Sequence, residues 1–238
     1  MMVLLANVVS PWVRELAAET GRIGNIYSPE GWVTRPPMPF ALDNGAFSAF
    51  KHERPFDSNG YLRMLDRAAA LDRPPLFCLV PDVVGDRDGT IRSWEAWLPV
   101  VRRYAYNGIP WALAFAAQDG MTPGDVPGEA SVVFVGGSMT WKLNTLELWA
   151  GEFARVHVGR VNRPWLLYRC AELGIESVDG TGWWHTDSGQ RQGLEEFLRW
   201  QDRGSPHMRP QGVLPLTWDV DGSPARLAEA VGMETLAI

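Results

Sequence analysis

The sequence predicts a single-domain α/β fold, a (β/α)8 barrel of the TIM type. Three observations carry that expectation. Short apolar, β-rich runs alternate along the chain with longer helical patterns, the signature of βα units and a parallel sheet. The alternation repeats about eight times, the number that closes such a barrel. The chain has 238 residues, close to the roughly 250 typical of that fold.

The elements follow in order. A first strand is expected over residues 3–9. Ser10 and Pro11 then open a helix as N-cap and first-turn proline, and Gly21 closes it. Residues 22–27 read as a second strand and, after a loop rich in Gly and Pro, 40–42 as a third. Asp57 and Ser58 cap a helix in which Leu62, Leu65 and Ala69 recur at helical spacing. Residues 76–80 form a continuous apolar run suited to burial on both faces. Residues 90–106 are expected to be helical, with Trp94, Trp97 and Val101 on one side and a kink or break at Pro99. Strands over 111–115, 131–135, 155–158 and 175–178 complete the set, with helices over 143–149, 164–173 and 188–200. No linker or composition break interrupts the series, so 1–203 is assigned to the barrel. The segment 204–238, with many Pro and Gly, is expected to pack on the barrel without adding a strand.

Composition narrows the function classes. With 46% hydrophobic and 21% charged residues the chain is ordinary globular material. Its net charge is −6, so any contact with a nucleic acid must rest on a local patch. The two cysteines, Cys78 and Cys170, sit in apolar contexts and read as buried free thiols, which fits a reducing cytoplasm and excludes a four-cysteine zinc site. His52, His185 and His207 lack metal-ligand spacing, so no metal is expected. No apolar run is long enough to span a bilayer, and the N-terminus lacks the basic flank of a signal peptide; a cytoplasmic protein without membrane contact is expected. Twelve tryptophans are many. Most read as core, whereas Trp183 and Trp184 are divided evenly between core packing and a surface that stacks on bases.

The residues at the expected strand ends are Asp43, Asp82, Gln118, Gly136-Gly137-Ser138, Gly159 and Asp179. In a barrel they face one mouth, where the fold places chemistry. Three carboxylates in one pocket are costly to desolvate and repel one another, and a purely structural barrel has no need to gather them. One carboxylate is suited to act as nucleophile and another as general acid/base, as in retaining glycosyl transfer. An Asp acceptor, a Gln amide and the backbone of two glycines match the hydrogen-bonding edge of a guanine-like base. Phe47 and Val158 are candidates for its two faces.

In these residues the chain resembles the tRNA-guanine transglycosylase superfamily, over residues 22–193. Gly24-Asn25-Ile26-Tyr27 is similar to the family's Gly-Asn-Thr-Tyr strand, and Asp43-Asn44-Gly45-Ala46-Phe47 to its Asp-Ser-Gly-Gly-Phe/Tyr motif. Val80-Pro81-Asp82 and Gln118 fall where the family reads the base. Val135-Gly136-Gly137-Ser138 resembles its Gly-Gly-Leu segment, and Gly174-Ile175-Glu176-Ser177-Val178-Asp179 its Gly-(Ile/Val)-Asp-x-Phe-Asp motif. The resemblance implies that Asp179 is the covalent nucleophile and Asp43 the general acid/base. It further implies that Asp82, Gln118, Gly136, Gly137, Ser138 and Phe47 hold the base; Val158 remains a candidate for its second face, and no cofactor is expected. The tRNA enzymes' Cys-x-Cys-x-x-Cys zinc site cannot form here, and Thr181-Gly182-Trp183-Trp184-His185 replaces their Pro-Thr-Arg and basic loop. The chain therefore looks most like the short, zinc-free DpdA-type 7-deazaguanine DNA transglycosylases of phages and bacteria. The implied partners are DNA, favoured over tRNA, and a free 7-deazaguanine base as co-substrate; a homodimer is compatible with the sequence.

Other residues are weighed individually. Arg160 and Arg163 begin a loop at the mouth and are candidates to grip phosphates, with Lys142, Trp183, Trp184 and His185 as further nucleic-acid contacts. His157 reads as a satisfied core or rim histidine. Asp86 and Asp88 read as helix-capping residues, and Asp119 as a turn residue. The rival readings are an N-glycosylase, a phosphosubstrate barrel using Gly136-Gly137-Ser138, and a non-catalytic base-binding barrel.

Overall fold

Alternation of side chains along short parallel strands sorts this chain into an inner and an outer core. In the computed structural model, which describes residues 2–32, 36–184 and 188–203, the strands are β1 (Val3–Ala6), β2 (Ile23–Tyr27), β3 (Phe40–Leu42) and β4 (Cys78–Leu79). A small hairpin follows, β5 (Ala105–Tyr106) and β6 (Ile109–Pro110), and then β7 (Leu113–Ala117), β8 (Val132–Val135), β9 (Val156–Val158) and β10 (Ser177–Asp179). Eight of these, all but the hairpin, close a parallel barrel in the order β1-β2-β3-β4-β7-β8-β9-β10, with β10 pairing back onto β1. The expected (β/α)8 barrel is thus the observed one. The segment 204–238 and its expected packing lie outside the described residues.

The inner core is made by Leu5, Ile26, Ala41, Phe77, Leu79, Ala114, Ala116 and Val132, with Phe134 against them. Three alanines leave room for two phenylalanine rings. The outer core lies between sheet and helices and takes the alternate residues, among them Leu4, Phe40, Leu42, Val133, Val135 and Val158. Gly24 on β2 is needed for closure. A Cβ there would meet the Pro39 carbonyl oxygen at 2.7 Å and Leu5 Cδ2 at 2.9 Å.

Seven α-helices lie among the described residues: α1 (Pro11–Thr20), α2 (Ala46–Lys51), α3 (Ser58–Ala69), α4 (Arg87–Val101), α5 (Met139–Glu152), α6 (Pro164–Glu172) and α7 (Ser188–Asp202). Their starts follow capping chemistry. The Ser10 hydroxyl accepts from the Val13 N–H, Asp57 from Gly60, and Asp86 from Gly89. Gly21 ends α1 in the left-handed region at φ 63°. No helix among the described residues is long and apolar enough to cross a membrane.

Among the departures from the sequence reading, three stand out. The helix expected over 90–106 begins at Arg87 and stops at Val101, with Pro99 inside its last turn. Asn107 and Gly108, at φ 50° and 78°, then turn the β5–β6 hairpin, which is what an Asn-Gly pair favours. Residues 46–51, read as loop, form α2. The last strand runs one residue further than expected, so Asp179 is the end of β10, in register with Leu5 of β1.

Replacing Gly24 with Ala inserts a methyl group against a backbone carbonyl. Urea unfolding of Gly24→Ala should show a loss of about 1–3 kcal/mol; a stability equal to the wild type would mean that β2 and the Pro39 segment can separate freely.

Candidate active site

The mouth at the C-terminal ends of the strands is built from residues that end or closely follow β3, β4, β7, β8, β9 and β10. Asp179 is the inward residue ending β10. Its Oδ1 accepts the backbone N–H of Arg160 at 2.9 Å, and its Oδ2 lies 3.0 Å from Nε2 of His157. Ser177, two residues back on the same face, places its hydroxyl 2.8 Å from His157 Nδ1. A carboxylate only accepts, so Nε2 carries the ring proton toward Asp179. Burial alone would raise the Asp179 carboxyl. The hydrogen bond and charge of His157, the Arg160 N–H and the nearby Lys142 ammonium outweigh it and hold the group below the usual carboxylate range. Asp179 is therefore an anion at neutral pH.

Serine, histidine and aspartate thus stand in one hydrogen-bonded row, but in an order unsuited to a serine nucleophile. Ser177 is buried beneath the ring, and the carboxylate is the member at the mouth.

Asp43 follows β3 directly. Its Oδ1 accepts the N–H of Gly45 at 3.1 Å, and Gly45 turns the chain at φ 82°. Burial pushes its carboxyl up to about 7, the Gly45 N–H opposes this, and the charges of Asp179 and Asp82 add to the rise. That both charges act on Asp43 places the three acids in one electrostatic neighbourhood. Asn44, fully enclosed, fixes the turn. Its Oδ1 accepts from the Ala46 N–H at the start of α2, and its Nδ2 donates to the Val80 carbonyl and to Asp82 Oδ1, at 3.0 and 2.8 Å. The same turn delivers Phe47, 41% exposed, at the mouth.

Asp82 lies between two amides. Asn44 holds one oxygen, and Gln118 Nε2 donates to the other at 2.6 Å. Gln118 Oε1 accepts from the Gly85 N–H at 3.2 Å. Burial pushes the Asp82 carboxyl up to about 6 against the pull of the Asn44 bond. Asp82 and Gln118 therefore form a pre-built acceptor–donor pair.

The Gly136-Gly137 turn passes beside them. A Cβ on Gly136 would lie 3.3 Å from the Ala117 carbonyl and 3.8 Å from Gln118 Nε2. Gly137 sits at φ 64°, and a Cβ there would strike Asp119 Oδ1 at 2.3 Å and the Trp141 ring at 2.6 Å. The Arg160 guanidinium spans the opening. It donates to the Gly137 carbonyl and lies over the Phe47 ring, 4.5 Å from its centroid. Arg160 itself adopts φ 59°, an uncommon conformation for a residue with a Cβ.

Several expected site residues are corrected. Val158 cannot lie on a base face: alternation along β9 turns His157 inward and Val158 into the outer core. Lys142 is not a phosphate contact. It is enclosed on α5 with its ammonium donating to the Gly159 carbonyl, and burial lowers it to about 8. Trp183 is 1% exposed, with its Nε1–H donated to the Val161 carbonyl at 2.5 Å. Trp184 is buried 6.2 Å from Trp12, so the pair belongs to the core and offers no stacking surface. The Ser138 hydroxyl caps α5 by accepting from the Trp141 N–H, and its own N–H goes to Asp119; the side chain is committed to the turn. Asp119, read as a turn residue, holds that loop. Arg163 is exposed ahead of α6. His185 lies outside the described residues.

His157 is the residue that sequence reading undervalued. Expected as a core or rim histidine, it is buried, yet it also holds Asp179. The signal was periodicity: on β9 it pairs with Ser177 of β10, so it shares the inner face with Ser177 and Asp179. Cys78 and Cys170 are buried free thiols, both pushed up to about 12 by burial. Among the described residues no group of three or more His, Cys, Asp or Glu is placed to hold a metal ion.

No family model and no curated protein matches the chain. A solved structure from Burkholderia cenocepacia J2315, provisionally described as a lyase/mutase, is similar over 85% of this chain and 82% of that one, at 14% identity and a TM-score of 0.40.

The raised Asp43 carboxyl has a stability consequence. Its folded pKa, about 7, lies above its unfolded value, about 3.9. The native state therefore binds the extra proton between those limits, and stability falls as pH rises through that window. Asp43→Asn should leave the melting temperature near that of the wild type at pH 4 and raise it at pH 8. Equal shifts at both pH values would show that Asp43 is not protonated in the fold.

Proposed function

We propose that this protein is a base-exchange transglycosylase that replaces guanine in a polynucleotide, DNA by preference, with a 7-deazaguanine derivative. The observation that carries the reading is the unequal protonation of carboxylates gathered at one mouth. Asp179 is held as an anion, while Asp43 titrates near neutrality. That difference is what a nucleophile and a general acid require. The Asp82–Gln118 pair adds an acceptor beside a donor, and Phe47 an aromatic ring at the mouth beneath Arg160. The resemblance across Gly24 to Asp179 supplies the substrate class. DNA is favoured because a chain with two cysteines cannot form the three-cysteine zinc site of the tRNA enzymes.

In this mechanism the target nucleotide leaves the stack to expose C1′. A lone pair of Asp179 forms the bond to C1′ as the bond from C1′ to guanine N9 breaks. The departing electron pair stays on the base and is neutralised by the Asp43 proton. The incoming deazaguanine gives its ring N–H proton to Asp43 and attacks C1′, and Asp179 leaves as a carboxylate. The Asp82 carboxylate accepts from the base's N–H groups, and Gln118 orients it.

The test is incubation with labelled guanine and either duplex DNA or tRNA. Label should enter DNA, and Asp179→Ala should reduce incorporation by at least about 10³-fold. Entry into tRNA alone would reverse the substrate preference, and free abasic sugar without exchange would identify an N-glycosylase. Unimpaired exchange by Asp179→Ala would end the covalent mechanism.

The first half-reaction needs Asp43 protonated and Asp179 ionised. Single-turnover guanine release should therefore fall as pH rises above about 7. A rate that climbs from pH 7 to pH 9 would exclude Asp43 as the acid.

A further inference from the structure

The barrel interior below the mouth is lined by Leu5, Leu79, Ala116, Val132 and two phenylalanines, and one imidazole is set among them. His157 is fully enclosed, its ring centroid 5.0 Å from that of Phe77 and 4.6 Å from that of Phe134. A polar ring in such a place is destabilising unless both nitrogens are bonded. Both are: Nδ1 meets the Ser177 hydroxyl at 2.8 Å and Nε2 meets Asp179 Oδ2 at 3.0 Å. The other ionisable groups that act on Asp179 are also placed. Lys142 is anchored on the Gly159 carbonyl and Asp43 acts as the like charge, while the Arg160 guanidinium is turned to the Gly137 carbonyl.

Resting on the transglycosylase reading, we propose that His157 is the positioning residue of the nucleophile and that Ser177 holds its ring in place through Nδ1. The ring N–H holds Oδ2 and the Arg160 backbone N–H holds Oδ1, so two rigid donors set the plane of the carboxylate. Oδ2 is committed to a buried ring, which leaves Oδ1 to form the bond to C1′. The ester carbonyl, Oδ2, stays on the imidazole while the base is exchanged. When the C1′–O electron pair returns to Asp179, the same N–H receives the restored charge, with no reorganisation of water. A hydroxyl both donates and accepts, so Ser177 satisfies Nδ1 whether or not that nitrogen carries a proton.

His157→Phe keeps a flat ring between Phe77 and Phe134 and removes the donor, whereas His157→Gln retains an N–H. His157→Phe should bind DNA within about threefold of the wild type, yet release guanine about 100-fold more slowly in single turnover, the scale of a carboxylate displaced by about 1 Å. His157→Gln should recover at least about tenfold of that loss. Ser177→Ala, which leaves the core ring in place, should slow release by about tenfold, and it decides the matter if His157→Phe does not fold. Release by the folded variants within about threefold of the wild type would overturn the proposal, as would equal losses in His157→Phe and His157→Gln. Nitrogen-15 spectra of the imidazole separate this from the activity itself. The Nε2–H signal should be present in the wild type and shift in Asp179→Asn; its indifference to that change sinks the positioning role alone. Wild-type protein that shows the contact but exchanges no base in DNA or tRNA sinks the transglycosylase reading and this role with it.

Discussion

Everything at the mouth depends on closure of eight short parallel strands with a side-chain period of two. Closure leaves no edge, and period two gives every strand an inward position at its C-terminal end. The interior is narrow, so its upper layers take alanines beside a few rings. The same constraint lines up His157 with Ser177 and delivers Asp179 directly above them. One shift of register would exchange His157 for Val158 and leave the Asp179 carboxylate without its donor.

Three carboxylates in one opening would ordinarily raise one another's affinity for protons. Here the donors are distributed unevenly. Asp179 receives an imidazole, a backbone N–H and the field of a buried ammonium; Asp82 receives two side-chain amides; Asp43 receives only backbone N–H groups of its own turn, those of Gly45 and Asn44. The acid with the least support is the one pushed up to about 7. Position in the barrel thus becomes a division of labour among chemically identical groups. The reading of Asp43 as proton donor and Asp179 as nucleophile follows from that unevenness more than from either residue alone.

The barrel was legible because helix caps and apolar runs are local signals. Ser10, Asp57 and Asp86 each mark a helix start within the sequence, and each does so in the structure. Strand-end acids were legible for the same reason. What escaped was decided by distant partners. Whether Val158 or His157 faces inward depends on pairing with β10, and whether Lys142 reaches solvent depends on the loop that carries Gly159. The tryptophans at 183 and 184 read equally as core or as a stacking surface, and Val161 and Trp12, elsewhere in the chain, take them into the core. The hairpin at Asn107-Gly108 was locally encoded but was overridden by a helical pattern continued too far.

The arm of Arg160 gives the opening a resting occupant. Its flat cation lies on Phe47 and satisfies the Gly137 carbonyl, so the aromatic face and the backbone acceptor are already engaged before any visitor arrives. Admission to that slot is consequently an exchange of one planar group for another. A newcomer competes with a tethered guest whose local concentration never falls, and its grip is measured against that guest and not against water.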